Sequence, residues 1–230
     1  MRVRDLGEFG LIDRIGRLLP EPASDVVVGI GDDVAVLSCG GPELLLATCD
    51  IQVENVHFRR DWISPYQLGR RVGAVNVSDI AAMGGYPAWG LVSLAVPDDL
   101  EVAFIDGLYQ GLRDQLGEVG CCVVGGNISR HPADVIVDFT LMGKVEPDHL
   151  VLRKGGKPGD LIFVTGSLGD SRAGFELLSH AEVSLSGPLR ERLLSRHLTP
   201  QPRWKAGRIL GKSGLVHAMA DVSDGLLADV

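Results

Sequence analysis

The sequence predicts an α/β fold of the α+β type, and three observations predict it. Short β-branched apolar runs recur through the first two thirds of the chain, longer stretches carrying helix start and stop signals separate them, and a glycine-rich break introduces a second alternation of the same kind. With 230 residues, 45% of them apolar, the chain can bury a real core as one large domain or two small ones.

The runs at 26–30, 34–37, 44–48, 91–96, 121–124 and 135–141 read as strands. Between the third and fourth, Ser64 supplies an N-cap, Pro65 a first-turn proline and Gly84-Gly85 a stop, so a helix is expected from Ser64 to about Met83. A second helix is expected over 98–116, capped by Asp98 or Asp99. The GGKPGD turn at 155–160 then breaks the chain, which places an N-terminal domain at 1–148 and a second α/β domain at 149–230. In that second part a strand is expected at 161–165, a helix at 171–179, a polar stretch at 185–192, a Thr-Pro-Gln-Pro turn at 199–202, a helix at 203–210 and a strand at 216–221. Ser223-Asp224-Gly225-Leu226-Leu227 looks like a turn opening a helix that ends at Val230 after about one and a half turns, so the second domain is expected to be incomplete.

Composition narrows the function classes. The longest apolar runs fall far short of the ~20 residues of a membrane span, and no basic-then-apolar leader opens the chain, so the expectation is a cytoplasmic protein that does not engage a membrane. A formal charge of −8 argues against a nucleic-acid binder, which would show a basic face. The four cysteines, Cys39, Cys49, Cys121 and Cys122, have no Cys-x-x-Cys spacing and read as reduced thiols.

Five constellations could carry chemistry. Gly29-Ile30-Gly31-Asp32-Asp33 delivers two carboxylates from a glycine turn between strands, where they suit magnesium or a plain polar hairpin. Thr48-Cys49-Asp50 ends an apolar strand and leads to Glu54, Asn55 and His57, the last of which reads from its surroundings as a packing residue or a ligand. On the helix at 64–83, Asn76, Asp79 and Met83 share a face while Ala81 and Ala82 permit close packing against a sheet. An aspartate within an apolar helix wants a partner, either a cation or a basic side chain. Gly125-Gly126-Asn127-Ile128-Ser129-Arg130 runs from a strand into glycines that let backbone approach a phosphate, or simply turn. Asp221-Val222-Ser223-Asp224-Gly225 repeats the pattern of carboxylates at a strand end. No Walker A motif or kinase glycine loop is present, so any nucleotide would be held by metal and backbone.

Taken in order and spacing, GIGDDVAVL, TCDIQVENVHF, AVNVSDIAAMGGYPAW, VGGNISR, LRKGGKPGDLIFVTGSLGDS and DVSDGLLADV closely resemble the motifs of the thiamine-monophosphate kinases, over nearly the whole chain from Gly7. That family belongs to the superfamily of aminoimidazole ribonucleotide synthetase and selenophosphate synthetase. The resemblance implies a two-domain α/β fold whose N-terminal mixed sheets pair into a homodimeric barrel, with ATP near the interface. It implies phosphorylation of thiamine monophosphate by ATP with several magnesium ions and no catalytic general base. By motif, Asp33, Thr48, Asp50, Asp79, Asp221 and Asp224 match metal positions, with Asp32 and Cys49 counted beside them. Gly126, Arg153 and Ser223 match nucleotide contacts, Tyr109 is a further candidate on the second helix, and His57 matches a contact to the thiamine phosphate. Where many family members carry Gly-Gly-Asp-Thr, this chain has Gly126-Asn127-Ile128, and Asn127 would offer a neutral carbonyl to the metal and the nucleotide. Family members usually continue well past the Ser-Asp-Gly motif. Two alternatives stand beside the kinase: another ATP-using enzyme of the superfamily, and a noncatalytic nucleotide-binding or dimerisation module. Selenophosphate synthetases usually carry an early reactive cysteine, and none precedes Cys39 here.

Overall fold

A computed structural model describes residues 2–20, 22–180, 182–183 and 185–230, with the side chain of Glu8 left aside. Six strands form one mixed sheet: β1 (Val26–Val28), β2 (Ala35–Ser38), β3 (Leu44–Val53), β4 (Tyr86–Val96), β5 (Cys122–Arg130) and β6 (Ile136–Val145), in the order β1-β2-β3-β6-β4-β5. Every neighbouring pair is antiparallel except β4 and β5, which run parallel. A parallel pair needs a crossover, and the helix α3 (Val102–Gly117) supplies it.

The helix α2 (Pro65–Ala82) begins as its sequence signals require. The Ser64 hydroxyl accepts the Gln67 N–H at 3.2 Å and the Gln67 side chain accepts the Ser64 N–H at 3.0 Å, with Pro65 just inside. Gly84, at φ +72°, follows its end. α2 and α3 cross so closely that a Cβ on Gly69 would lie 1.9 Å from the Leu108 carbonyl oxygen, and one on Gly111 1.9 Å from that of Tyr66. Together they cover one face of the sheet. Leu46, Val92, Val137, Phe139 and Leu141 point into that core beside Leu68, Val77, Ile80, Leu108 and Leu112. The alternate residues of the strands face the other way, where Cys49, Ile51, Trp89 and Leu91 are exposed.

Beyond the sheet come α4 (Asp170–Ser179), α5 (Pro188–Leu198), α6 (Trp204–Ser213) and the short α7 (Leu226–Asp229). α6 packs on α2 through Gly207, whose added Cβ would meet the Ala81 carbonyl oxygen at 2.2 Å. Ala81 thus serves a helix contact, where the sequence suggested packing against the sheet.

Several expectations are corrected. The strand at 44–48 continues to Val53 because β6 pairs with all ten of its residues, so Asp50 lies inside a strand, opposite Phe139, and not at its end. α3 starts at Val102, not at 98, since Asp98 pairs with Arg130 at 3.1 Å and neither Asp98 nor Asp99 caps the helix. The segments 161–165 and 216–221 form no ladder; Leu161, Ile162 and Phe163 are exposed, and an apolar run becomes a strand only when another strand takes its hydrogen bonds. α1 (Gly7–Gly16) was not signalled, and the polar stretch at 185–192 opens α5, begun by Pro188.

Candidate active site

Three distant parts of the chain meet beside the C-terminal end of α2. Asp32 and Asp33 come from the turn between β1 and β2; Thr48 and Asp50 lie on the helix-facing side of β3; Asp79 projects from α2; and Asp221 arrives from the last segment. The Thr48 hydroxyl donates to Asp79 at 2.7 Å. Ser78, next to Asp79, lies near enough to the Asp221 carboxylate, and the Asp221 backbone near enough to Asp33, to help hold each in its charged form. Asp32 accepts the Arg153 backbone N–H at 3.2 Å from each oxygen, while the Arg153 guanidinium holds the Asp33 carboxylate. One oxygen of Asp33 is buried with no partner.

Like charges crowded into a half-dry pocket resist ionisation. Burial, then Asp50, with Asp221 and Asp33 adding to them, lifts Asp79 to about 8 against the pull of the Thr48 hydroxyl. Burial, with Asp33 and Asp50, lifts Asp221 to about 6, opposed by Ser78. Burial raises Asp33 despite Arg153, and burial with Asp138 raises Asp50. Each of these is the state of a carboxylate short of a cation. Among the described residues no three His, Cys, Asp or Glu side chains converge closely enough to hold an ion unaided.

The remaining candidates divide. Cys49 alternates with Thr48 and Asp50, so its side chain lies on the open face of the sheet with Ile51 and Asp138; burial and Asp138 raise its thiol. Asn127 is exposed on β5 opposite Ser93, whose partner on β6 is Asp138, so neither Cys49 nor Asn127 joins the group around Asp79. Gly126 leaves no room for a side chain, its Cβ position lying 1.9 Å from the Val92 carbonyl oxygen. Ser223 and Asp224 are exposed in a turn whose N–H groups, at Ser223 and Gly225, bind Asp229 at 3.0 and 3.1 Å. Tyr109 packs against the core from α3, where burial raises its hydroxyl, and no hydrogen bond ties it to the carboxylates.

His57 sits in the loop after β3, its Nδ1 accepting the Val53 N–H at 3.0 Å. The other ring nitrogen then carries the proton and is free to donate. This loop lines a cavity of about 250 Å³ together with Arg71 of α2, Phe175 of α4 and His197 of α5. The loop is clamped by the buried Glu54, which accepts Arg60 Nε at 2.6 Å and the Val135 N–H at 2.9 Å. Sequence reading passed over Asp138, Ser78, Arg71 and the clamping role of Glu54. Only Asp138 left a signal, as a charge inside the alternating run that forms β6.

Fold and site together define an AIR synthase related protein. Residues 31–145 match the N-terminal domain family of that name and residues 157–230 the C-terminal one. Over 229 residues the chain is 42% identical to the thiamine-monophosphate kinase of Aquifex aeolicus, and over 228 residues 36% identical to that of Mycobacterium tuberculosis; it spans 70% and 66% of their lengths. It belongs to the thiamine-monophosphate kinase family. The solved structure of AaThiL complexed with AMPPCP and TMP superposes with a TM-score of 0.89 at 41% identity, covering 100% of this chain and 70% of that one. A Stenotrophomonas maltophilia thiamine-monophosphate kinase superposes at 0.75 with 35% identity, covering 97% of this chain and 70% of that one.

Proposed function

We propose that this chain transfers the γ-phosphoryl group of ATP to thiamine monophosphate by direct in-line displacement. The observation that carries the reading is the electrostatic coupling of Asp33, Asp79 and Asp221, from three separate parts of the chain, together with the buried and unpartnered oxygen of Asp33. The relative bound to AMPPCP, an ATP analogue, and to TMP supports the choice of substrates.

The acceptor is a phosphate monoester, mostly a dianion at neutral pH because its second pKa is about 6, so it needs no base to become a nucleophile. The obstacle is repulsion between two polyanions. Asp33, Asp50, Asp79 and Asp221 would hold magnesium, assisted by Thr48, and the bound ions would neutralise that charge. Arg153, already oriented by Asp32 and Asp33, presents a guanidinium beside the same carboxylates and would set a positive charge against the negative charge that develops on the transferred group. His57 donates from its free ring nitrogen to the acceptor phosphate. Gly126, whose missing side chain makes way for the Val92 carbonyl oxygen, would offer the nucleotide backbone alone, and Asn127, Tyr109, Ser223 and Asp224 would complete the nucleotide and outer metal contacts.

The same reading assigns residues 1–148 to the nucleotide and dimerisation domain and 149–230 to the second domain. The apolar open face of the sheet, with Ile51, Trp89 and Leu91, is the surface by which two copies would pair, and a cytoplasmic setting supplies the ATP. No described helix is long and apolar enough to cross a membrane. Incubation with ATP, magnesium and thiamine monophosphate should yield thiamine diphosphate, and an Asp79→Asn chain should yield none. Magnesium-dependent ATP binding without product would instead make these residues a nucleotide-binding module.

A further inference from the structure

Arg208 of α6 stands where three stretches of backbone meet. One terminal nitrogen donates to the Gly84 carbonyl oxygen at 2.9 Å, just past the end of α2, and the other reaches both oxygens of Glu146, just past the end of β6, at 2.5 and 2.6 Å. The side chain is 14% exposed, and its guanidinium lies over the Tyr86 ring at 5.1 Å. Carbonyls at a helix C-terminus lack partners within the helix and carry its negative pole, so hydrogen bond and dipole together hold a cation there. The Arg208 hydrogen bond lowers Glu146 to about 2, and the ion pair is therefore intact at neutral pH.

Beneath this grip, backbone meets backbone. A Cβ on Gly84 would lie 2.5 Å from the His149 carbonyl oxygen, and one on Gly211 2.7 Å from the same atom. Glycine contacts let the segments come close but give them nothing to lock into; the guanidinium supplies the lock. Two limbs of the carboxylate site leave from this junction. The last turn of α2 carries Asp79. On the other side the Val151 N–H donates to the Met83 carbonyl at 3.3 Å, and the chain then reaches Arg153, which binds Asp32 and Asp33. The Leu152 carbonyl accepts the Met219 N–H at 3.0 Å, and that segment leads to Asp221.

We propose that Arg208 is a positioning residue for the phosphoryl-transfer site: by gripping Gly84 and Glu146 at once, it fixes the Asp79 limb against the limb that carries Arg153 and Asp221. It hydrogen-bonds none of the site's carboxylates among the described residues and acts through the two backbones it joins. A displacement of about 1 Å between groups that must share a cation and a reacting phosphate is enough to slow the transfer severely. The inference rests on the reading of the site as a magnesium-dependent kinase centre.

The test compares the parent chain with Arg208→Met, Glu146→Gln and the double variant, each first shown to be folded by circular dichroism. Magnesium chloride is titrated calorimetrically into each in the presence of AMPPCP, and turnover of ATP with thiamine monophosphate is measured alongside. Either single variant should weaken magnesium by about threefold or more, the scale on which a packed network couples distant groups. It should also lower kcat by about tenfold or more, with the KM for thiamine monophosphate within about twofold of the parent. The double variant should lose little beyond the worse single one, because both substitutions break the same grip. Should Arg208→Met fail to fold, Glu146→Gln decides alone. A lower melting temperature with magnesium affinity and kcat at the parent values would make the contact merely structural and overturn the proposal, as would additive losses in the double variant. A parent that binds magnesium but forms no thiamine diphosphate would sink the kinase reading and leave the magnesium titrations to decide the role of Arg208; a parent that binds no magnesium would overturn both.

Discussion

The Thr48 hydroxyl donates to the Asp79 carboxylate at 2.7 Å, a bond that joins the middle of β3 to the last turn of α2 across the sheet-helix boundary. It is the one neutral donor opposing the burial and like charge that lift Asp79 to about 8. Thr48→Val keeps the shape and removes the donor. The carboxylate then sits buried and short of a hydrogen bond, so the chain should lose on the order of 1–3 kcal/mol in urea denaturation at pH 8, and less at pH 5 where Asp79 is protonated.

Asp79 itself should destabilise the metal-free chain. Its folded pKa, about 8, lies above the ordinary 3.8, so the folded state holds a proton that the unfolded state releases, and stability falls as pH rises from about 4 towards 8. Asp79→Asn removes that penalty. Without magnesium the variant should melt several degrees higher than its parent at pH 7.5, with the difference vanishing towards about pH 2, where the parent is protonated in both states. Magnesium should raise the parent's melting temperature and leave the variant's almost unmoved; an equal shift in both would remove Asp79 from the metal site.

Arg153 binds Asp33 by its side chain and Asp32 by its backbone, so it ties the turn after β1 to the segment following β6. Arg153→Met leaves the buried Asp33 without its principal compensating charge. Activity should fall about a hundredfold or more, the scale of losing a preorganised charge at a transition state. ATP affinity, measured by titration with magnesium present, should weaken as well.

Glu54 acts on His57 at one remove, by holding the loop to the start of β6 through Arg60 and the Val135 N–H. Glu54→Gln keeps one acceptor oxygen but loses the ion pair, and Glu54→Ala loses both. The acceptor KM should rise in the order parent, Gln, Ala, with the KM for ATP little changed. A fall in kcat alone, at constant acceptor KM, would show that Glu54 does not position this loop.

Gly69 and Gly111 face backbone carbonyl oxygens at the α2–α3 crossing, where nothing can yield by rotating a side chain. Alanine at either position should destabilise the chain by about 3 kcal/mol or more, above the usual range for overpacking, because backbone has to move. Gly117→Ala, with open space around it, serves as the control and should cost little.

The strands and helices that were legible in the sequence are those whose signals are local. Short β-branched apolar runs marked the six sheet strands, and Ser64, Pro65 and Gly84 bounded α2 almost to the residue, because caps and prolines act within one turn. The site residues were legible as types in suggestive places, and motif order joined them into a family. What the sequence could not supply was which of them share a face. β3 runs on to Val53 because β6 pairs with it, and that register sets Thr48 and Asp50 against α2 while turning Cys49 to the open side. The segments at 161–165 and 216–221 have strand composition and no ladder, since a strand exists only in its partners. Local chemistry, written residue by residue, determined the elements and named the carboxylates. Pairing register and helix packing, which depend on residues far apart in the chain, decided that Asp33, Asp79 and Asp221 crowd one another.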